Sequence, residues 1–332
     1  MEESEKKREK KGKVCVTGGT GFVASWLVMR LLQHGYTVNT TVRSQSAGSE
    51  KDISFLENLP GAQQSLRIFN ADLENPDSFE AAIEGCIGVF HVAHPINFEN
   101  KETEAMITNK SVKATLGILK ACLNSKTVKR VVYTSSASTV TFNENGPDVL
   151  DEEWWSDLDY VRKMNLVGAS YRVSKTATER AALEFAENNS LDVVCVIPTR
   201  ILGPFLCPGC PESVRMSLAM IMGNENQIKY FETMPFVHTD DVASAHIFLF
   251  EYPEAKGRYI CSAVEITVDK LIEFVSQRYP QFQILNKDSL IDAVKIKSIS
   301  SKKLLDTGFR YKYGLEEMFD EAIECCKKKG FL

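Results

Sequence analysis

The 332-residue sequence predicts an α/β protein, with a doubly wound parallel sheet and a smaller C-terminal lobe. Three observations support this prediction. Short apolar runs alternate with amphipathic segments through the first two-thirds of the chain, as strands alternate with helices around a parallel sheet. A glycine-rich turn joins the first apolar run to the first amphipathic segment. The alternation weakens after Pro198, where a loop rich in proline and glycine begins.

The alternating part of the chain contains the predicted strands and most of the predicted helices. The predicted strands span 13–17, 36–43, 66–73, 87–93, 129–136 and 191–198, and the segment 36–43 is predicted from apolar residues that alternate at period two. The helices have apolar residues at helical spacing, and they span 21–35, a segment near 76–85, 101–124 and 169–188. Gly35 is the stop signal of the first helix, and Pro76 suits the first turn of the second.

The last third of the chain predicts shorter elements that end in a helix within GLEEMFDEAIECCKKKG. We therefore divide the chain into a disordered charged tail over 1–12, a nucleotide-binding domain over 13–197 and mainly a substrate-binding lobe over 198–332. Residues 236–251 are expected to return from the lobe to the nucleotide-binding core. Doubly wound sheets bind ligands at the carboxyl ends of their strands, so a lobe closing over that edge would form the substrate cleft.

The composition argues against several classes of function. A net charge of −5 gives no basic field that would attract nucleic acid or an anionic membrane surface. No stretch approaches about 18 uninterrupted apolar residues, and the N-terminal MEESEKKREKKGK lacks the apolar core of a signal peptide. The nine cysteines then suit a reducing compartment. We expect a cytoplasmic protein, monomeric by default, that acts on a small molecule and contacts neither nucleic acid nor membrane.

The segment VTGGTGFVAS lies between the first predicted strand and the first predicted helix. Gly18, Gly21 and Ala24 give the spacing G-x-x-G-x-x-A. The first glycine permits the tight turn, the second lets the backbone approach a phosphate, and a small third residue lets helix and strand pack. The helix N-terminus offers free N–H groups and a positive dipole end to a pyrophosphate. In this strand–turn–helix context the pattern predicts dinucleotide binding and a Rossmann fold.

The end of the second predicted strand indicates which dinucleotide binds. An NAD-preferring site usually has Asp or Glu about 20 residues after the turn, where it bonds the ribose 2′-hydroxyl. This chain has neither there, and Arg43 occupies the region. A guanidinium can fork around a 2′-phosphate, and Lys51 could add charge. We therefore predict NADP(H), with an ordinary surface arginine as the alternative interpretation of Arg43.

A tyrosine and a lysine four residues apart, in YRVSK, share one face of the fourth predicted helix. The fifth predicted strand ends in Ser135 and Ser136, at the same sheet edge as the glycine turn. Hydride transfer to a carbonyl requires an acid that protonates the oxygen. Tyr171 could be that acid, and Lys175 could lower its pKa from about 10 and hold the nicotinamide ribose. A serine hydroxyl could orient the carbonyl.

With these motifs in place, the chain resembles the extended short-chain dehydrogenases/reductases, and among them the plant dihydroflavonol-4-reductase-like group. The resemblance runs from about Lys13 to Leu332. It also rests on NADLENPDSF, GCIGVFHVA, KTVKRVVYTSSAS, IPTRILGPF, FVHTDDVASAHIFLFE and GRYICS. Within the group, the likeness is closest to the vestitone reductases and the noscapine synthases.

The resemblance implies roles for the matching positions. Ser136, Tyr171 and Lys175 match the catalytic residues of the group. The implied cofactor-binding residues are Gly18, Gly21, Phe22 and Val23 at the pyrophosphate, Arg43 and Lys51 at the 2′-phosphate, Asp72 and Leu73 at the adenine, Val92 and Ala93 along the cofactor, and Pro198 and Thr199 beside the nicotinamide.

Three positions depart from the group's pattern and are candidates for the substrate pocket. Thr141 stands where dihydroflavonol reductases carry an asparagine that contacts the flavonoid B-ring. His94 replaces a common Thr or Ser, and it could line the pocket, act as a base or be a structural neighbour. Arg200 replaces an apolar residue and could meet an acidic or phenolate group, although an outward arginine paired with a carboxylate is the simpler interpretation. The run NLVGASY differs from that of the cinnamoyl-CoA reductases, which argues against a CoA thioester.

We therefore predict an enzyme that uses NADPH to reduce a ketone of a polycyclic plant metabolite, with an isoflavonoid or flavonoid carbonyl as the leading class. One alternative is an NADP-dependent dehydrogenase that oxidises an alcohol or hemiacetal of an alkaloid. Another is a non-catalytic nucleotide-binding regulator, which the intact Ser/Tyr/Lys set disfavours. No metal is expected, because His238 suits a structural position, and Cys207 and Cys210 lack the second ligand pair of a zinc site.

Overall fold

The structure is a computed structural model that describes residues 11–43, 52–95, 102–164, 168–222, 232–282 and 295–332. Its strands are β1 (Lys13–Val16), β2 (Thr37–Val42), β3 (Leu66–Asn70), β4 (Gly88–His91), β5 (Arg130–Thr134), β6 (Val149–Leu150), β7 (Val193–Pro198), β8 (Arg200–Leu202), β9 (Thr233–His238), β10 (Gly257–Cys261), β11 (Val264–Thr267) and β12 (Ser298–Ile299).

The helices surround these strands. They are α1 (Phe22–Gln33), α2 (Ser54–Glu57), α3 (Ala62–Ser65), α4 (Glu80–Ile83), α5 (Glu104–Ser125), α6 (Leu158–Met164), α7 (Ala169–Asn188), α8 (Glu212–Ser217), α9 (Ala219–Met222), α10 (Thr239–Glu251), α11 (Val268–Arg278), α12 (Lys302–Asp306) and α13 (Leu315–Lys328), with 3₁₀ helices at Pro76–Phe79 and Ala137–Thr139. None of the helices in the described ranges is long and apolar enough to cross a membrane.

Seven strands form one parallel sheet in the order β10-β7-β5-β4-β1-β2-β3. The chain winds outward from β1 in both directions, so the order reverses between β1 and β4. This is the point at which doubly wound sheets bind their ligands. The prediction of a Rossmann-type parallel sheet is confirmed.

Helices cover both faces of the main sheet, and the strands are therefore apolar on both sides. Val14 and Val16 of β1 pack with Leu27 of α1 in a core that also includes α10. Cys15, which points the other way, packs with Ile118 of α5 in a core that also includes α4 and α7. This two-sided burial explains why the inner strands β1, β4, β5 and β7 read in sequence as mainly apolar runs.

The C-terminal lobe has its own sheet and core. Strands β11, β9 and β8 form a three-stranded sheet, and α8, α9, α11 and α13 contribute to the apolar cluster around it. Phe236 of β9 packs edge-to-face on Phe319 of α13, with ring centroids 5.9 Å apart. Only Thr199 separates β7 from β8, so the lobe begins at the carboxyl edge of the main sheet.

Parts of the last third of the chain lie in the main core. Helix α10 packs with α1, and β10 is the edge strand next to β7. The predicted return over 236–251 did not include β10, a five-residue strand that follows α10 in the chain. Of the predicted tail, residues 1–10 lie outside the described residues, and Lys11 donates from Nζ to Glu251 at 2.7 Å.

Candidate active site

The turn after β1 has the geometry of an anion-binding loop. Gly18 has φ +75°, and a Cβ there would lie 3.0 Å from the Cβ of Ala93. The N–H of Gly21 donates to the Gly18 carbonyl at 2.8 Å, and α1 begins at the next residue. No side chain caps α1, and no acidic residue lies in its first turn. These residues therefore fit a pyrophosphate, which would accept hydrogen bonds from the helix N-terminus.

The end of β4 is held against this turn by Thr17. Its hydroxyl accepts hydrogen bonds from the N–H groups of Val92 and Ala93, both at 3.0 Å. The same hydroxyl lies 3.0 Å from Nδ1 of His91, whose pKa is lowered to about 3 by burial. His91 is therefore neutral and structural, and it helps to fix the backbone where the cofactor is predicted to pass.

Ser136 lies just after β5 and is the N-cap of the short 3₁₀ helix that follows. Its Oγ accepts from the N–H of Ser138 at 3.2 Å and from the Ser138 hydroxyl at 3.0 Å. Its side chain also helps to lower the pKa of Tyr171. The structure thus places the predicted serine and tyrosine near each other, on the wall of one cavity.

Tyr171 and Lys175 lie one turn apart on α7, as predicted. Nζ of Lys175 donates to the carbonyl of Thr134 at 2.8 Å. Burial lowers the pKa of Lys175 to about 7, and Glu179 opposes that shift. Near neutrality, the ammonium therefore coexists with its neutral form.

The structure corrects one part of the sequence argument. Burial raises the pKa of Tyr171, and the hydrogen bond with Ser136 and the charge of Arg172 oppose that rise. Lys175, predicted to lower the pKa of Tyr171, is not among the groups that oppose it. Its own charge is weakened by the same burial, and its Nζ is directed to a backbone carbonyl. Arg172 is thus a residue that the sequence argument missed, although its place next to Tyr171 could have suggested it.

A buried ion pair anchors α7 behind these residues. Glu179, one turn after Lys175, accepts from the hydroxyl of Ser135 at 2.5 Å and from Nε of Arg258 at 2.8 Å. The side chains of Glu179 and Arg258 are 0% and 6% exposed. Arg258 also donates to Thr139 at 3.1 Å and stacks 3.6 Å from the ring centre of Trp155. The pair therefore ties β10 and α7 to the turn that carries Ser136.

One cavity of about 1150 Å³ connects the glycine turn with Ser136, Tyr171 and Lys175. The sequence-predicted residues that line it are Gly18, Gly21, Phe22, Val23, Arg43, Asp72, Leu73, Val92, Ala93, His94, Ser136, Thr141, Tyr171, Lys175, Pro198, Thr199 and Arg200. Lys51 lies outside the described residues. Ser138 also lines the cavity, a residue that the sequence argument did not single out.

His94 faces Tyr171 across this cavity. The two rings are perpendicular, with centroids 5.7 Å apart. Nε2 of His94 lies 3.5 Å from the Ser174 hydroxyl, and its buried Nδ1 has no hydrogen-bond partner among the described residues. Burial lowers its pKa well below the ordinary value, so the ring is neutral. It lines the pocket as a hydrogen-bonding group, and such a low pKa disfavours a role as general base.

Arg200 departs from its simpler sequence interpretation. It lines the cavity instead of pointing outward, and no carboxylate among the described residues lies within 4.0 Å of its guanidinium. The reason is its place in β8, which runs along the cavity wall directly after β7. Thr141 is buried and lines the same cavity.

The described residues contain no group of three or more side chains that could hold a metal ion. His238 is buried at the start of α10, where its Nδ1 accepts from the N–H of Asp240 at 3.1 Å. Its ring stacks on Tyr313, with centroids 3.8 Å apart. Cys207 and Cys210 are free thiols.

Comparison with known proteins assigns the chain to a family. The model described as "NAD dependent epimerase/dehydratase family" matches residues 14–261. The chain belongs to this family. Vestitone reductase from Medicago sativa is 51% identical over 98% of this chain and 99% of its own length. The crystal structure of that alfalfa enzyme superimposes with a TM-score of 0.87 at 50% identity, covering 97% of this chain and 100% of the other.

Two further relatives cover nearly the whole chain. Protein BRI1-5 ENHANCED 1 from Arabidopsis thaliana is 52% identical over 97% of this chain and 90% of its own length. Dihydroflavonol 4-reductase from Callistephus chinensis is 46% identical over 96% of this chain and 87% of its own length. Membership of the dihydroflavonol-4-reductase-like group within the epimerase/dehydratase family is thereby confirmed, as is the prediction of a nicotinamide-dependent oxidoreductase.

Proposed function

We propose that this protein is an NADPH-dependent reductase that transfers hydride to a ketone of a polycyclic plant metabolite, with an isoflavonoid or flavonoid-type carbonyl as the substrate class. One observation carries the proposal: a single cavity joins the anion-binding turn to the Ser136, Tyr171 and Lys175 set. Relatives named vestitone reductase and dihydroflavonol 4-reductase support the substrate class.

The roles of Ser136 and Tyr171 are supported by their places on one cavity wall and by the effect of Ser136 on the pKa of Tyr171. Both hydroxyls can reach one acceptor, so the substrate's carbonyl oxygen takes hydrogen bonds from the two. NADPH, when bound, supplies the hydride to the carbonyl carbon. Tyr171 then delivers its proton to the oxygen. Ser136 keeps the oxygen in place, because its own position is fixed by two donors from Ser138.

Arg172 supplies positive charge that favours this proton transfer. When Tyr171 gives up its proton, a phenolate remains in a buried site, which burial disfavours. The charge of Arg172 stabilises that phenolate. Lys175 lies one turn further along α7, and its ammonium form is one of two protonation states near neutrality. Lys175 also has donors available for the ribose hydroxyls of the cofactor.

Arg43 supports the choice of NADPH over NADH. It is exposed at the end of β2 and lines the cavity beside the glycine turn. A guanidinium there can form paired hydrogen bonds with a 2′-phosphate. The cavity volume of about 1150 Å³ exceeds that of common small-molecule pockets, which supports room for cofactor and a polycyclic substrate together.

We further propose that residues 13–197 form the nucleotide-binding domain, that 198–332 form mainly the substrate-binding lobe, and that the protein is a cytoplasmic monomer. Size-exclusion chromatography with light scattering tests the oligomeric state. A dimer in solution would contradict it without affecting the proposed chemistry.

The direct test is NADPH oxidation by the purified protein against a panel of flavanone, isoflavanone and alkaloid ketones, with NADH as the cofactor control. We expect one ketone class to be turned over with NADPH. Tyr171→Phe should lower turnover by about 10²- to 10⁴-fold and leave NADPH binding unchanged. The matched control is Tyr133→Phe, which removes a buried hydroxyl without a hydrogen-bond partner in the described residues and should retain activity.

Retained turnover in Tyr171→Phe would show that another group donates the proton. If no ketone reacts although NADPH binds, the same panel as alcohols with NADP⁺ tests the oxidative direction. Silence in both directions would favour a nucleotide-binding regulator.

A further inference from the structure

The cavity wall contributed by β8 and α7 carries two arginines. Arg200 lies on β8, and Arg172 directly follows the proposed proton donor on α7. Burial and the charge of Arg172 lower the pKa of Arg200 to about 10, so both guanidinium groups stay charged at neutral pH. This part of the cavity is therefore a site of concentrated positive charge.

Arg200 makes little use of its donors within the described part of the chain. A guanidinium has five N–H donors, and with the described residues Arg200 makes one long hydrogen bond, 3.5 Å from Nη1 to the carbonyl of Met216. Glu212, a carboxylate that lines the cavity nearby, is paired with Arg215 on its own helix. Among the described residues, no carboxylate offsets the charge of Arg200.

The cofactor is not positioned to supply that anion. Its phosphates are expected at the turn after β1 and beside Arg43 at the end of β2. Arg200 follows β7, and β5 and β4 lie between β7 and β1. Three strand spacings place the ends of β7 and β1 about 14 Å apart. Since neither the cofactor phosphates nor a carboxylate of the described residues meets Arg200, the second ligand of the cavity is the candidate for the group that does.

We propose that the substrate carries an anionic oxygen group, a carboxylate or an ionised phenol, and that Arg200 binds this group. The inference rests on the proposed reductase function and narrows its substrate class. A desolvated cation beside a like charge is unfavourable in the protein alone. A guanidinium pairs with a carboxylate through two parallel hydrogen bonds, which would offset that cost on binding.

The test uses pairs of probes that differ only in charge. The first pair is 4′-carboxyflavanone and its methyl ester, and each is titrated into the wild-type protein in the presence of NADP⁺, so that binding is measured without turnover. We expect the acid to bind about tenfold to a hundredfold more tightly than the ester, as is typical of a hydrogen-bonded charge. A second pair, 7-hydroxyflavanone and its methyl ether, tests an ionised phenol, for which the preference should appear only as pH rises.

Arg200→Met should abolish the preference for the acid and leave the affinity for the ester nearly unchanged. Arg200→Lys keeps the positive charge but cannot form the two parallel hydrogen bonds of a guanidinium, so it should retain part of the preference for the acid. Arg67→Met, an exposed arginine on β3 outside the cavity, removes the same charge and should change neither affinity. Binding of NADPH to each variant checks that it is folded.

Equal wild-type affinities for the two members of each pair, acid and ester as well as ionised phenol and ether, would overturn the inference, and this result needs no variant. A preference that persists in Arg200→Met would overturn it as well. Reduction of neutral ketones without any preference for the charged probe would leave the proposed reductase function intact while removing this inference. Binding of the acid that depends on Arg200, without reduction of any ketone, would support this inference and contradict the proposed reductase function.

Discussion

The buried pair of Glu179 and Arg258 allows a prediction of stability. Arg258→Met removes the cation from a carboxylate that is 0% exposed. It also removes the donors to the carbonyls of Glu152 and Trp154, both at 2.7 Å. Breaking a buried pair by removal of one partner typically lowers the free energy of unfolding by about 3–5 kcal/mol. We expect a loss of this size, which is a large part of the total stability of a typical protein.

Glu179→Gln tests the same pair from the other side. The amide removes the negative charge, and the guanidinium of Arg258 keeps its bonds to Thr139 and to two backbone carbonyls. The loss should therefore lie at or below the lower end of the same range. In the double variant no buried charge is left without its partner, so its loss should fall short of the sum by about 1–3 kcal/mol.

Urea unfolding followed by far-ultraviolet circular dichroism measures all three variants. Tryptophan fluorescence is a poor probe here, because Trp155 stacks on Arg258. Arg278→Met is the matched control, since that arginine forms its ion pairs with Asp320 and Glu316 at the surface and should contribute little. A loss below about 1 kcal/mol in Arg258→Met, or additive losses in the double variant, would refute the reasoning.

Three further predictions concern the cofactor site. Gly18→Ala should weaken NADPH binding at least tenfold, because the new Cβ would crowd Ala93 and the residue has a φ of +75°. The control is Gly61→Ala, which has a similar φ of +84° but no atom within 4 Å of the new Cβ. It imposes similar backbone strain and should leave the affinity for NADPH unchanged. Arg43→Leu should weaken binding of NADPH at least tenfold and that of NADH little, and equal losses for both would contradict a 2′-phosphate role. Lys175 has a pKa of about 7 folded and about 10.4 unfolded, so the unfolded chain binds the extra proton between those values. The cofactor-free wild type should therefore gain stability relative to Lys175→Met as pH rises from about 7 to about 10, and a constant difference in urea midpoint would contradict the lowered pKa.

The spacing of apolar residues along the chain predicted helices and strands whose formation depends mainly on neighbouring residues. The helix predicted over 169–188 is observed at Ala169–Asn188, and apolar residues at helical spacing predict it. The carboxyl ends of parallel strands meet at one edge, which explains why the residues predicted from separate motifs line one cavity. The segment after Pro76 was less regular than predicted, since a 3₁₀ helix precedes the single turn of α4.

Features that depend on long-range contacts were not predictable. Glu179 and Arg258 are 79 residues apart, and nothing in the sequence around either residue predicts that they pair. The pKa of Tyr171 depends on burial and on the direction of the Lys175 side chain, and neither follows from i, i+4 spacing. For the same reason, sequence alone favoured a surface position for Arg200, which lies on the cavity wall.

The contact between Glu179 and Arg258 spans 79 residues along the chain, and it has a consequence for how the site matures. During synthesis, a nascent chain acquires Ser136, Tyr171 and Lys175 long before Arg258 emerges. Contacts of such long sequence separation form late in folding because their loop-closure entropy must be overcome first. The anchored geometry of α7 is thus completed only when β10 docks beside β7. A chain truncated before Arg258 would keep all three proposed catalytic residues but lack the contact that holds them in register.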